Sequence, residues 1–232
     1  MTLPIIRLLF MPIFLLAMTT VTHGQDDCVV TLDKNKVLST TCVIPRSDAT
    51  GTYITETNKL VFKGNPYFNY PVWESGSVWV EGQQRALTGK VAYDLSRKKV
   101  YYGVDSTHFY LVQPDQFTLN DLTFINKSVR VMGETYSNYY QVLYSGKAVT
   151  LLKQTTCKLS IRSIAEGYDG AYTRQETYFI QNESGSPKLI KRTRKSVEKA
   201  LLARVNSGNS PLFLPPGELS VETIIDYLKS IN

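Results

Sequence analysis

The sequence predicts a mainly β protein: an antiparallel meander, curved into a sheet or partial barrel, with two C-terminal α-helices packed on it. Two textures carry that prediction. From about Gly51 to Ile190, short runs rich in Val, Tyr, Phe, Thr and Ile alternate with turn residues. After Lys191 the apolar residues recur at the spacing of a helix face instead.

The chain opens with MTLPIIRLLFMPIFLLAMTTVTHGQ, in which Arg7 precedes an apolar run from Leu8 to Met18. That run is shorter than the ~20 residues a membrane span needs. Its flanks match a secretory signal with a small-residue cleavage site at Thr22 and Gly24. Residues 1–24 are therefore assigned as a signal peptide, with Gln25 as the mature N-terminus. The alternatives are an uncleaved signal anchor and a lipidated Cys28; the polar lead-in Gln25-Asp26-Asp27 speaks against the lipid. No later run is long and apolar enough for a transmembrane span, so the expected location is the periplasm, the outer-membrane periphery or the exterior. The formal charge of +6, or +5 without Arg7, is mild and does not argue for nucleic acid.

Residues 25–50 read as an N-terminal arm or hairpin. In CVVTLDKNKVLSTTC, a turn about Asn35 places residue 32 opposite 38, 30 opposite 40 and Cys28 opposite Cys42. A bridge there would close a loop of about 15 residues, worth about 3 kcal/mol in the chain-entropy model. The alternative is two free thiols. Cys157 is left over in a strand-like run, where a small buried apolar role suits it.

Residues 51–232 read as a single β-rich domain. SVWV (77–80) leads to a Glu81-Gly82 turn. KVAYDL (90–95) meets KVYYG (99–103) across Ser96-Arg97-Lys98, and THFYLV (107–112) stops at Gln113-Pro114-Asp115. QFTL (116–119) meets LTFI (122–125) across Asn120-Asp121, and SVRVM (128–132) ends at Gly133. YYQVLY (139–144) and KAVTLLK (147–153) flank Ser145-Gly146, a hairpin cue, and the second run continues to Ile161. TRQETYFIQ (173–181) and KLIK (188–191) complete the strands. The first helix spans 193–206, with Val197, Ala200, Leu201 and Val205 on one face. The second spans 220–231, with Ser220 as N-cap, Glu222 in the first turn, and a stripe of Val221, Ile224, Ile225, Leu228 and Ile231.

The order of these features resembles a group of uncharacterised exported β-rich proteins of Bacteroidota. The likeness rests on Gly64-Asn65-Pro66-Tyr67 ahead of the Gly76-Ser77-Val78 strand start, on the Tyr93-Asp94 hairpin, and on SGKAVTLLK followed by a strand, a basic run and two terminal helices. It implies a cell-envelope or secreted protein and supplies no catalytic residues. The paired cysteines near the N-terminus depart from the group.

Catalytic signatures are sparse. His108, in an alternating strand, is the one histidine left after signal removal, and no GxSxG elbow, Walker loop or GxGxxG appears. No metal-ligand spacing and no cofactor motif is present. Glu166 and Asp169 are the best carboxylate pair, for a glycan hydrolase; the alternative is a turn in which Asp169 bonds backbone. The basic run Lys188, Lys191, Arg192, Arg194, Lys195 and Lys199 is read as a wet face, against an anion-binding patch.

The stretch GNPYFNYPVWESGSVWVEGQQ (64–84) gathers both tryptophans. Large aromatics fill cores more often than they bind ligands, so Tyr67 to Trp73 reads first as a lid folded onto the sheet. As a ligand-binding platform it would present Tyr67, Tyr70, Trp73 and Trp79, with the Tyr93-Asp94 and Tyr101-Tyr102 strands nearby. The functional expectation is a non-enzymatic structural or interaction module of the cell envelope, with an envelope protein, lipid or glycan as partner. The alternatives are a carrier of lipid or another apolar ligand in a curved-sheet cavity, and an envelope-glycan hydrolase. Intact mass of protein from the native host should correspond to a chain beginning at Gln25; a start at Cys28 with added acyl mass would overturn the signal assignment.

Overall fold

Turn residues cut the chain into short β segments whose inward side chains are apolar. In the computed structural model, the described residues are 27–47, 53–80, 85–104, 108–127, 129–131, 134–136, 138–161, 167–183, 185–201 and 213–231. The expected signal segment, and positions 202–206 of the expected first helix, lie outside them. The strands are β1 (Asp27–Leu32), β2 (Leu38–Ser47), β3 (Tyr53–Lys63), β4 (Glu74–Trp79), β5 (Leu87–Asp94), β6 (Lys99–Gly103), β7 (Phe109–Val112) and β8 (Gln116–Leu119). They continue as β9 (Leu122–Asn126), β10 (Val129–Val131), β11 (Glu134–Tyr136), β12 (Tyr139–Ser145), β13 (Val149–Ser160), β14 (Gly170–Asn182) and β15 (Lys188–Ile190). Helices α1 (Arg194–Leu201) and α2 (Val221–Ser230) follow.

All strands except the β10–β11 ribbon join one open thirteen-stranded sheet, ordered β1-β2-β3-β14-β13-β12-β9-β8-β4-β5-β6-β7, with β15 also on β14. The mainly β class with two C-terminal helices is thus the observed one. The uninterrupted antiparallel meander is not. Three local meanders are joined by two long-range pairings. β8 returns to the free edge of β4, pairing Leu119 with Gly76 and Phe117 with Val78. β3 meets the start of β14 in parallel through two pairs, Phe62 with Gly170 and Lys63 with Ala171. Short turns signal hairpins in the sequence, whereas strands far apart in the chain carry no local mark of their pairing.

The N-terminal arm continues past residue 50. β2 pairs with β3 from Ser39–Lys63 to Ser47–Tyr53, making a three-stranded leaf. In β1–β2 the register sets Leu32 opposite Leu38 and Cys28 opposite Cys42, and the two sulfurs are bonded. The leaf's seam on β14 is reinforced by Asp169. Its backbone N–H donates to Val61 O (2.8 Å), and its Oδ2 accepts from the Val61 N–H (2.7 Å). Gly170 is hemmed in on both sides: a Cβ there would sit 2.4 Å from Ser160 O of β13 and 3.3 Å from Phe62 Cδ1 of β3.

One face of the sheet carries two clusters. On β13, Leu151 and Cys157 are six residues apart and so share a face. Yet Leu151 packs under the helices, while Cys157 joins an aromatic cluster at the other end. On β12, Gln141 lies buried between Tyr139 of the aromatic cluster and Leu143 of the helical one. The helical cluster combines Val149, Leu151 and Ile180 with Val197 and Leu201 of α1 and Ile224 and Leu228 of α2. Ser220 caps α2 by accepting from the Thr223 N–H (3.1 Å). Leu214 and Leu219, from the proline-rich connector, are buried in the same cluster. These side chains occupy the face that a carrier would need unfilled.

The aromatic cluster is built on Phe117 stacked against Phe124, ring centres 4.7 Å apart, with Tyr93 and Tyr139 set edge-on to Phe117 at 5.4 and 5.2 Å. Its closing piece is Phe68, edge-on to Phe124 at 5.0 Å. Truncating a packed aromatic ring costs about 3–5 kcal/mol, and a packed leucine about 2–5. Phe68→Ala and Leu228→Ala should each destabilise the protein by amounts in those ranges in chemical denaturation. A loss under about 1 kcal/mol for Leu228→Ala would show that α2 is not part of the folded unit.

Candidate functional site

The loop between β3 and β4 is held as an extra strand against the end of β5. Phe68 N–H donates to Tyr93 O and Leu95 N–H donates to Pro66 O, each at 2.8 Å, and Tyr67 bridges to Asp94. Strand alternation then sends Tyr67 and Phe68 to opposite sides. Phe68 enters the aromatic core. Tyr67 faces outward, over the opposite face of β5 and β6.

Arg174 of β14 fixes this loop from behind. Its Nη1 donates to Phe68 O (2.9 Å), and its Nη2 donates to Tyr67 O (2.5 Å) and Asn65 Oδ1 (3.2 Å). The planar fork of a guanidinium suits several acceptors in fixed positions. Gly64 starts the loop at a φ of 84°, a conformation that favours glycine, and its carbonyl accepts from the buried Thr40 hydroxyl (2.8 Å).

Outside the loop lies a cleft of about 430 Å³, within the range of small-ligand sites. Asp94, Ser96, Arg97 and Tyr101, from the β5–β6 hairpin, form one part of its lining. Val72 and Trp73 from the loop and Phe109 from β7 form another, with the Trp73 and Phe109 rings 5.6 Å apart. Pro66, Tyr67 and Tyr172 complete it together with Cys28 and Val29 of β1. The two terminal strands of the sheet order, β1 and β7, therefore meet at one cleft.

Asp94 is only 2% exposed. Its Oδ1 accepts from the Ser96 N–H (2.8 Å), the Ser96 hydroxyl (2.8 Å) and the Arg97 N–H (3.0 Å), which shapes the hairpin turn. Among the described residues no hydrogen bond falls on Oδ2. Burial, and then the Asp94 charge, push the Tyr67 hydroxyl up to about 12, while Arg97 acts in the opposite sense. Burial also pushes the Tyr139 hydroxyl up to about 12, aided by Asp115, and raises Tyr93 further. Burial raises the Cys157 thiol, with the Arg174 guanidinium acting in the opposite sense and the Asp94 charge in the same one.

Of the four platform residues expected from the sequence, the structure brings two together. Tyr67 and Trp73 line the cleft; Tyr70 and Trp79, 44% and 36% exposed, do not. The lid expectation is met by Phe68 rather than Trp73. Tyr101 and Asp94 belong to the strands expected nearby, but Tyr93 and Tyr102 point into the core. Arg97, Phe109 and Tyr172 were not anticipated. Arg97 read as turn chemistry, Phe109 is placed by the neighbouring β6–β7 pairing, and Tyr172 lies on β14, which reaches the cleft through pairing between distant segments.

The remaining candidates separate. Glu166 lies outside the described residues, and Asp169 is engaged with the Val61 backbone. His108 is exposed and does not line the cleft. Among the described residues, no group of three or more His, Cys, Asp or Glu could hold a metal ion, and no helix is long and apolar enough to cross a membrane. In the basic run, Arg192 pairs with Glu218, and Arg194 pairs with Glu198 (2.8 Å) and stacks on Phe213. Lys188, Lys191, Lys195 and Lys199 are all exposed.

The raised tyrosines make stability depend on alkaline pH. Above pH 10 the unfolded chain loses phenolic protons that the fold retains to about 12. The native state then binds more protons, so stability falls as pH rises through that window. Tyr67→Phe should make the fall shallower in denaturation measured stepwise from pH 9.5 upward. An unchanged slope would show that Tyr67 is not held in its neutral form.

Comparison with known proteins yields no match to a family model, a curated protein or a solved structure.

Proposed function

We propose that the protein is an exported, non-enzymatic interaction module of the cell envelope that receives its partner in the aromatic cleft. The observation that carries this reading is the composition of the cleft. Five aromatic rings surround a buried carboxylate and a guanidinium, all mounted on paired strands and a clamped loop. Rigid aromatic anchors with a few fixed polar groups are what a binding surface needs.

Turnover draws less support. General acid–base chemistry wants a group that changes protonation near the working pH, and the guanidinium of Arg97 does not. Carboxylate chemistry on sugars wants two acids across the bond to be cut, and Asp94 is the single carboxylate among the described residues lining the cleft. The secretory character of residues 1–24 and the disulfide-bonded hairpin both support export. So does the resemblance to exported β-rich proteins of Bacteroidota.

A photo-crosslinking amino acid placed at Phe109, in the native host, should capture an envelope component. The same group at Leu189, which is exposed on β15 and does not line the cleft, should not. Equal labelling from both positions, or recovery of the protein in the cytoplasmic fraction with residues 1–24 intact, would overturn the reading.

A further inference from the structure

We propose that the basic run on β15 and α1 docks the protein on a bilayer surface rich in anionic phosphate headgroups. The inference concerns a surface separate from the aromatic cleft and goes beyond the interaction reading above. It starts from the way the fold sorts the cations of the run. The two arginines are engaged within the protein. Arg192 pairs with Glu218 and lies over the Tyr178 ring, and its carbonyl accepts from the Leu219 N–H (2.7 Å). Arg194 pairs with Glu198 (2.8 Å) and stacks on Phe213 at 3.8 Å. The four lysines are not engaged. Lys188, Lys191, Lys195 and Lys199 are exposed, and among the described residues none makes an ion pair or a side-chain hydrogen bond. Elsewhere Lys153 pairs with Glu176 and Lys229 with Asp226.

The elements spread these four charges over one side of the molecule. Lys195 and Lys199 are four residues apart on α1 and so share a face, while Val197, Ala200 and Leu201 are buried on the other. The Lys191 N–H donates to the Ser196 hydroxyl (3.0 Å), which draws Lys191 to the first turn of the helix. On β15, alternation puts Lys188 on the side of the buried Ile190 and sends Leu189 to the opposite face. The first turn of α1 carries no acidic residue, so the helix dipole adds to the positive field there.

That arrangement selects the partner. A single anion is best held by donors that converge on it. These lysines do not converge: Lys195 lines the shallow depression at the start of α1 with Arg194 and Glu198, and the other three do not. Dispersed ammonium groups on flexible stems need no fixed geometry and match a plane of many negative charges. Phe213 adds an apolar contact. It is 71% exposed on Arg194, the neighbour of Lys195, and a ring so placed enters the boundary between headgroups and acyl chains, which a free anion does not offer. The apolar face of α1 is covered by the sheet, so the helix does not insert and the contact is shallow and electrostatic.

The test is co-sedimentation of the protein, purified from the native host, with vesicles of phosphatidylcholine alone or mixed with phosphatidylglycerol. The mixed vesicles should carry the protein down, and phosphatidylcholine alone should not. Salt at about 1 M, where the Debye length shrinks to about 3 Å, should release it. Lys195→Gln combined with Lys199→Gln should weaken binding by at least about tenfold, since each lysine near such a surface contributes roughly fivefold. Its melting temperature should match the parent's, because both side chains are exposed and glutamine suits a helix. Lys34→Gln combined with Lys158→Gln removes the same charge from exposed positions elsewhere and should bind like the parent. Phe213→Ser should weaken binding and keep its salt sensitivity. The proposal fails if the two vesicle types bind alike, if neither binds, or if the charge-matched control loses as much as the α1 variant. It also fails if inorganic phosphate or polyglutamate at matched charge binds as tightly as the mixed vesicles, which would assign the surface to a free anion or an acidic protein. None of these failures touches the cleft, whose reading stands or falls on the Phe109 crosslink.

Discussion

The grip of Arg174 on the β3–β4 loop is the constraint on which the rest of the molecule depends. Along β14, β3 pairs only at residues 170 and 171, and β15 only from 178 to 180. Between them the edge has no strand partner among the described residues, and Arg174 there binds Asn65, Tyr67 and Phe68. One guanidinium thus takes the place of a ladder. Hydrogen bonds to a charged group contribute about 1.5–3 kcal/mol where shielded, and solvent at this partly exposed site reduces that.

What the clamp secures is a division of labour between neighbouring residues. Phe68 closes the aromatic core, and Tyr67 lines the cleft. The bridge between Tyr67 and Asp94 sets the carboxylate and the phenol side by side. Core packing and site geometry are therefore set by the same few bonds. A change that loosens Phe68 from Phe124 also displaces Tyr67, so stability and binding are coupled through the loop rather than through distant contacts.

Much of the fold was legible because its punctuation is local. β6 and β8 fall where their flanking turns place them, and Lys98 and Asn120 adopt the positive φ that tight turns require. The same holds for α2, whose Ser220 cap and apolar stripe were both readable. The site was legible only in part. Tyr67 and Trp73 stood out by residue type. Asp94 and Arg97 looked like ordinary turn residues, since nothing local reveals that the far side of their hairpin is walled by positions 28, 109 and 172. The walls at 28 and 172 follow from the β3–β14 and β4–β8 pairings, which join segments separated by tens of residues and leave no periodicity to detect, whereas position 109 follows from the neighbouring β6–β7 pairing. Choosing Phe68 over Trp73 as the plug also required the alternation set by the Tyr67–Asp94 bridge.

The short seam between β3 and β14 has a mechanical consequence. A sheet bends most easily along the line crossed by the fewest ladder bonds, and among the described residues two residue pairs cross here, beside the Asp169 bonds and the Phe62–Tyr172 and Lys63–Tyr168 side-chain contacts. The disulfide joins β1 to β2, so the three N-terminal strands swing as one plate. That plate bears Cys28 and Val29 of the cleft wall. Rotation about the seam would move that wall relative to the β5–β6 hairpin and so change the aperture of the cleft.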